Sequence, residues 1–287
     1  MAFPLQGGVA VITGAASGIG AALAANLAGR GVNLALADRN AAGLAAAAAV
    51  ARAKGVPTGV KVTEHVLDVR DADALTALPE AVLAEHGRVT VLVNNAGVAL
   101  IGTFEQTTLD DFAWLMDINF WAPVRLTKAF LYALHREPAA HIVNISSIFG
   151  IAAPPGNSAY CAAKFGVRGF SEALRHELEE STVTLTVVHP GGIKTEIANS
   201  ARLSQSVDPD EARVGKEEFN KLLKTTPEQA AEQIAQAILK RQGRLLIGGD
   251  ARMLDRIQRL FPSSYWAKIK RVQKSVASKV NPPAKAA

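Results

Sequence analysis

The sequence predicts an α/β fold, a doubly wound parallel sheet in a single domain. Three observations point to it. A short apolar run, Val9 to Ile12, breaks at Thr13-Gly14 into a glycine-rich turn, and a helical pattern begins at Ala21. Further apolar runs alternate with longer helical stretches down the chain, and strands alternating with helices pair in parallel through right-handed crossovers. These runs are apolar throughout rather than alternating, as expected of strands buried on both faces. Several of them end in a polar residue, Asp38, Asp68 or Asn94-Asn95. In doubly wound sheets, ligands bind at the carboxyl ends of the strands. The organisation is Rossmann-type.

At 287 residues the chain suits one domain of ~250 residues with an appendage. Its 49% hydrophobic and 20% charged residues are those of a soluble globular protein with a large core. One cysteine, Cys161, excludes an intramolecular disulfide and suits a reducing compartment. No signal peptide and no long uncharged apolar span is visible, so a cytoplasmic location is expected. The expected division is a dinucleotide-binding and catalytic domain over 1–250, with a cover at about 196–226, and a basic amphipathic extension over 251–287.

Val9 to Gly20 reads V-A-V-I-T-G-A-A-S-G-I-G, a T-G-x-x-x-G-x-G spacing rather than the common G-x-G-x-x-G. Glycines let backbone N–H groups approach a pyrophosphate, and the helix N-terminus adds partial positive charge. Strand Asn33 to Ala37 ends in Asp38, placed where a dinucleotide fold puts the acid that binds ribose hydroxyls. Arg39 beside it could instead receive the 2′-phosphate of NADP, which Asp38 would repel. NAD is therefore the expected cofactor, with NADP as the alternative. A helix over Ala41 to Lys54 ends at Gly55-Val56-Pro57. Strand Lys61 to Leu67 closes at Asp68, which could accept from an adenine amino group or cap the next helix. That helix, Ala72 to Glu85, leads to strand Val89 to Val93 and Asn94-Asn95-Ala96-Gly97.

A long helix over Leu109 to Arg136 carries Asn119 and is expected to bend near Pro123. Strand His141 to Ile145 ends in Ser146-Ser147, and the helix after Pro154-Pro155-Gly156 holds Tyr160 and Lys164. Positions i and i+4 share a helix face, so the phenol and the ammonium point the same way. A free tyrosine, with a pKa near ~10, is a poor base at neutral pH. A lysine cation and an oxidised nicotinamide beside it are expected to lower that value. Tyr160 would then exchange a proton with an alcohol or ketone while Ser147 orients the substrate oxygen.

These pieces together resemble the classical short-chain dehydrogenase/reductase family. The matching motifs are T-G-A-A-S-G-I-G (13–20), N-N-A-G (94–97), Asn119 in D-I-N-F, I-S-S (145–147), Y-C-A-A-K (160–164) and H-P-G-G-I-K-T (189–195), in that family's order over about residues 5–250. The resemblance implies a tetrad of Asn119, Ser147, Tyr160 and Lys164, with Asn119 holding a water that links Lys164 to solvent. It implies cofactor contacts from Gly14, Ser17, Gly18, Ile19 and Gly20, from Asp38 and Arg39, and from Asp68 and Val69 at the adenine. Asn95, Ala96 and Gly97 would line the adenosine side, and Tyr160, Lys164, Pro190, Gly191, Ile193 and Thr195 the nicotinamide end. Ser147, Phe149, Pro154, Tyr160 and Gly192 would form the substrate pocket. No metal site is implied. The long helices over 109–136 and 158–179 imply a homodimer. A homotetramer is put in doubt because the last strand, Arg244 to Ile247, runs on into a further segment.

The stretch Glu196 to Thr226 is charged and irregular, with a short helix expected at Lys216 to Lys224, and would cover the pocket. Phe149, Ile151, Ala153, Pro154 and Pro155, with Ala99, Leu100 and Ile101, give an apolar wall, so the expected substrate is a lipophilic alcohol or ketone. Residues 252–287 carry nine Lys or Arg against Asp255 alone, a net +8 against +5 for the whole chain, which leaves about −3 elsewhere. Phe261, Tyr265, Trp266, Ile269, Val272 and Val276 recur at near-helical spacing among these cations. Packing of that stripe on the enzyme body is preferred over peripheral membrane contact, and no motif supports nucleic-acid binding. The two readings of function are an NAD(P)-dependent oxidoreductase, including an NADPH-preferring reductase, and a nicotinamide-nucleotide-binding sensor without turnover. The intact tetrad favours the enzyme.

Overall fold

β1 (Val9–Thr13) is buried along its whole length and takes β2 (Asn33–Asp38) on one side and β4 (Val91–Asn94) on the other, both in parallel. Beyond them lie β3 (Val62–Val66), then β6 (Ala140–Ile145), β7 (Val183–Pro190) and β9 (Arg244–Ile247). The sheet has seven strands in the order β3-β2-β1-β4-β6-β7-β9. The computed structural model describes residues 2–271. The order reverses between β1 and β4, and that is where such a sheet opens a crevice for a ligand.

Side-chain alternation sends Ala10 and Ile12 into one core and Val11 into the other. The first core is closed by α1 (Gly18–Ala28), α2 (Ala41–Gly55) and α8 (Pro227–Leu239). The second is closed by α3 (Ala72–His86), α5 (Ala122–His135) and α6 (Ser158–Glu177). Asn40 caps α2 by accepting from the Gly43 N–H at 3.1 Å. Asp71, and not Asp68, caps α3, accepting from the Asp73 and Ala74 N–H groups. The capping alternative for Asp68 is thereby removed.

The long helix expected over 109–136 is divided. α4 (Leu109–Met116) passes through a π-helical turn, Asp117–Trp121, into α5. Pro123 has no N–H to give the Asn119 carbonyl. The chain widens instead, and the Ala122 N–H reaches back to the Asp117 carbonyl. The irregularity falls on Asn119 itself, upstream of the proline, as π turns often fall at functional positions.

The stretch from 196 to 226 is more ordered than expected. β8 (Arg202–Leu203) pairs in parallel with β5 (Leu100–Ile101), a small second sheet. The helix expected at 216–224 is α7 (Pro209–Leu222) and starts seven residues earlier. Asp208 caps it through the Asp210 and Glu211 N–H groups, and Pro209 supplies a preset first turn. α9 (Gly249–Leu260) follows β9 directly, and its Ala251 is buried with Ile148 and Ile151. The extension expected from 251 is therefore built onto the sheet at its start. Val272 and Val276 of the predicted stripe lie outside the described residues. Among the described residues no helix is long and apolar enough to cross a membrane.

Candidate active site

The carboxyl ends of β1 and β4 are tied together by side chains. Thr13 Oγ1 accepts from the Asn95 and Ala96 N–H groups, and Asn95 Nδ2 donates to the Thr13 and Gly14 carbonyls at 2.9 and 3.0 Å. The Asn95 amide is thus committed to holding the glycine turn. A Cβ on Gly14, whose φ is +65°, would lie 2.8 Å from Ala96 Cα, and one on Gly20 would lie 2.2 Å from the Gly14 carbonyl oxygen. Ser17, at the N-cap of α1, makes no side-chain cap bond, and Ile19 packs at the edge of the first core. The first N–H groups of α1 are left for a ligand. Gly18 faces Thr195, whose Cγ2 would be 3.1 Å from an added Cβ, so the glycine turn and the 190–195 segment confront each other across the crevice.

Farther along, Asp38 accepts from the Ala16 N–H at 3.1 Å and the Asn40 N–H at 2.9 Å, while Arg39 is exposed. Asp68 pairs with Arg70 at 2.8 Å, and that bond chiefly holds its carboxyl below the usual range, with Arg39 contributing. Val69 is buried against α3.

Asn119 and Lys164 meet at Gly97. A Cβ there would lie 3.3 Å from Asn119 Oδ1 and 3.5 Å from Lys164 Nζ. Asn119 is fully buried; it accepts from the Val98 N–H at 2.8 Å and donates to the Val98 carbonyl at 2.9 Å. Lys164 is also buried and donates to the Ile145 carbonyl at 3.0 Å. The Ser147 hydroxyl accepts from the Phe149 N–H at 3.1 Å and stands near the Tyr160 hydroxyl. The Phe149 ring stands edge-on to Tyr160, with centroids 6.1 Å apart.

Burial pushes the Tyr160 phenol up to about 12, with the nearby Ser147 hydroxyl opposing it, and brings Lys164 down to about 8. Lys164 by itself does not depress the tyrosine. The ammonium sits 5.7 Å from the phenol ring centroid and is turned to the Ile145 carbonyl, so desolvation outweighs its attraction.

Residues 8–206 match the family model described as short chain dehydrogenase. The chain belongs to the short-chain dehydrogenase/reductase family. It is 43% identical to "Putative oxidoreductase SadH" of Mycobacterium tuberculosis, over 91% of this chain and 93% of that protein. The crystal structure of a short-chain dehydrogenase/reductase from Burkholderia phymatum in complex with NAD superposes with a TM-score of 0.80 at 28% identity, covering 90% of this chain and 94% of that one. A short-chain dehydrogenase from Mycobacterium paratuberculosis bound to NAD gives 0.73 at 26% identity, covering 85% and 97%.

Two residues of this short-chain dehydrogenase/reductase escaped the sequence reading. His189, fully buried, has its Nδ1 3.0 Å from the Ser147 carbonyl. A carbonyl only accepts, so Nδ1 carries the proton and the ring holds the Ser147 backbone in place. Asp250, at the start of α9, accepts from the Gly192 N–H at 2.7 Å, and a Cβ on Gly191 would lie 2.3 Å from its Oδ2. It clamps the turn after Pro190 while Ile193, buried, bridges to Thr225. The D-after-G-G pattern at 248–250 was the available signal, yet nothing local joins it to residue 192. Asp250→Ala should raise the KM for the cofactor roughly tenfold with a smaller effect on kcat, since a hydrogen bond to a charged group contributes about 1.5–3 kcal/mol. Titration of cofactor binding by tyrosine and tryptophan fluorescence checks this.

The 148–155 stretch packs on α9. Ile148 and Ile151 are buried against Ala251 with Phe149 and Leu254 alongside, and the Ala153 N–H, next to Pro154, donates to the Tyr265 hydroxyl at 3.1 Å. Gly192 borders the end of α7, its added Cβ 2.9 Å from the Leu222 carbonyl oxygen.

Proposed function

We propose that this oxidoreductase interconverts a lipophilic secondary alcohol and its ketone using NAD in preference to NADP, and works as a homodimer. The observation that carries the reaction is the neighbouring hydroxyls of Ser147 and Tyr160, with the buried Lys164 ammonium 5.7 Å from the Tyr160 ring centroid. The tightly packed Gly14–Gly20 turn and the start of α1, which has no side-chain cap, would hold the pyrophosphate of a nicotinamide dinucleotide. When bound, it supplies the hydride donor or acceptor.

In reduction, Ser147 donates to the ketone oxygen and fixes its orientation. Tyr160, protonated at neutral pH, passes its proton to that oxygen as charge develops there, which is general acid catalysis. Lys164 steadies the phenolate left behind and, with Asn119 and the Val98 backbone, offers the route by which the proton is restored. In oxidation the phenol must first lose its proton, which burial opposes, so alcohol oxidation rises with pH. The apolar 148–155 wall supports a lipophilic substrate. Asp38, pinned by two backbone N–H groups, supports NAD because its charge stands where a 2′-phosphate would come. Exposed Leu109, Trp121 and Phe165 around α4–α6 support self-association.

The test is steady-state turnover on a panel of lipophilic ketones and alcohols, with NAD(H) and NADP(H) in parallel. Activity mainly with NAD(H) is expected. Preference for NADP(H) overturns the Asp38 argument and leaves the reaction standing. Silence with both cofactors, despite tight cofactor binding, overturns the enzyme reading.

A further inference from the structure

α9 has two unlike faces. Ala251 and Asp255 are buried against the body, with Asp255 held between Arg244 at 2.6 Å and Arg259 at 3.0 Å. On the opposite side Met253 and Leu260 are 46% and 72% exposed, and Phe261 just beyond is 40% exposed. Positions 252, 253, 256 and 260 fall on one side at helical spacing. Arg252 and Arg256 thus flank this apolar strip, and neither has an acidic partner among the described residues. Lys268 Nζ sits 3.8 Å from the Phe261 ring centroid, so another cation rims the same patch. The segment after α9 is anchored rather than loose. Ile269 is buried and the Tyr265 hydroxyl accepts from Ala153.

The strip also has a defined place relative to the site. The Leu222 carbonyl and the Asp250 carboxylate both border Gly192, at 2.9 and 3.5 Å from an added Cβ, and Leu222 is itself 63% exposed. α9 therefore begins beside Gly192, where the proposed substrate pocket would meet the end of α7. Charge decides what it fits. Residues 252–271 hold six Lys or Arg against Asp255, a net +5, while residues 1–251 sum to about −3. A second copy would bring that same positive surface against itself. An apolar strip flanked by arginines, with aromatic residues beside it, is the pattern of a surface that rests in the headgroup region of a bilayer.

We propose that the outer face of α9 and the segment through Arg271 dock on membrane surfaces carrying anionic phospholipid, with the substrate pocket opening toward the bilayer. The docking does not depend on which alcohol reacts. The open pocket gives it a purpose, since a lipophilic substrate partitioned in the membrane reaches the site without crossing water.

The experiment is co-sedimentation of the full chain, without turnover, with vesicles of phosphatidylcholine alone or of roughly one part phosphatidylglycerol to three of phosphatidylcholine. Binding to the anionic vesicles alone is expected, weakening as salt shortens the screening length. Each cation removed near an anionic surface weakens partitioning about fivefold, so Arg252→Ser with Arg256→Ser should weaken it roughly 25-fold. Leu260→Ser should weaken binding to vesicles while turnover of a water-soluble alcohol stays unchanged. Equal binding to both vesicle types, no binding to either, or binding unchanged in both variants overturns the proposal. So does a fall in solution mass of Leu260→Ser in sedimentation velocity, because a second copy then covers this face. Loss of turnover in the wild-type chain with vesicle binding retained bears on the proposed reaction alone.

Discussion

Tyr160→Phe should lower kcat roughly a thousandfold in both directions, the middle of the range for a positioned acid or base. The substitution removes one oxygen and keeps the ring, so the edge-on contact with Phe149 and the packing against Ala159 and Ala163 remain. Melting temperature and cofactor affinity should therefore stay close to wild type. The pH profile is the sharper readout. The phenol is pushed up to about 12, so wild-type alcohol oxidation should climb through the alkaline range while ketone reduction, which uses the protonated phenol, stays level up to about pH 11. The climb should flatten in Tyr160→Phe, because the residue that titrates it is gone. Turnover near wild type, or an unchanged pH profile, would show that some other group moves the proton. Lys164→Met gives a control on the same site. Its ammonium donates to the Ile145 carbonyl, so its loss should reduce kcat without restoring the tyrosine to its ordinary range.

The sheet and the placement of the candidate site residues were legible in the sequence for a common reason. Buried parallel strands announce themselves as apolar runs, and the residues at their carboxyl ends fall at one edge by topology alone. Gly14, Asp38, Asp68, Asn95 and Ser147 could all be placed in this way. Tyr160 and Lys164 share a helix face by spacing. What spacing could not show was the direction of their shifts, which depends on how deeply each is buried and which carbonyl the ammonium faces. The π turn was hidden because apolar periodicity cannot distinguish a bond to i−4 from one to i−5 over a single turn. The start of α7 was hidden differently, since its polar surface lacked the apolar stripe that marks a helix, although Asp208-Pro209 was a good start signal. Asp250 and His189 act on residues 58 and 42 positions away, a relation that only the fold creates.

Acid should unfold this protein through two histidines before its carboxylates titrate. His141, in β6, is fully buried, with its ring nitrogens 2.7 and 2.8 Å from the Thr184 and Thr186 hydroxyls, and burial brings its pKa down to about 3. His189 is brought down to about 4, chiefly by burial, with Arg244 and Arg168 adding repulsion. Both values lie below the unfolded histidine value of 6.5. Below that pH the unfolded chain takes up protons that the folded chain refuses, so stability is whole above it and declines as pH falls toward the folded values. At pH 5 each ring accounts for about 2 kcal/mol, and together about 4 kcal/mol out of a typical 5–15 kcal/mol. The carboxylates held low by partners, such as Asp68 and Glu232, lose their contribution in the same direction but only near and below their ordinary range, about 4. The interval from pH 6.5 to 5 therefore isolates the histidines, with the half-buried His65 and His86 adding a smaller loss of the same sign. Urea unfolding midpoints across that interval should fall steeply in the wild type. His189→Asn keeps an N–H for the Ser147 carbonyl and cannot take a proton, so its midpoints should fall about half as steeply. Flat midpoints in the wild type, or an undiminished slope in His189→Asn, would show that these rings do not govern acid stability. Because His189 holds the backbone of Ser147, activity near pH 5 should disappear together with the fold rather than ahead of it.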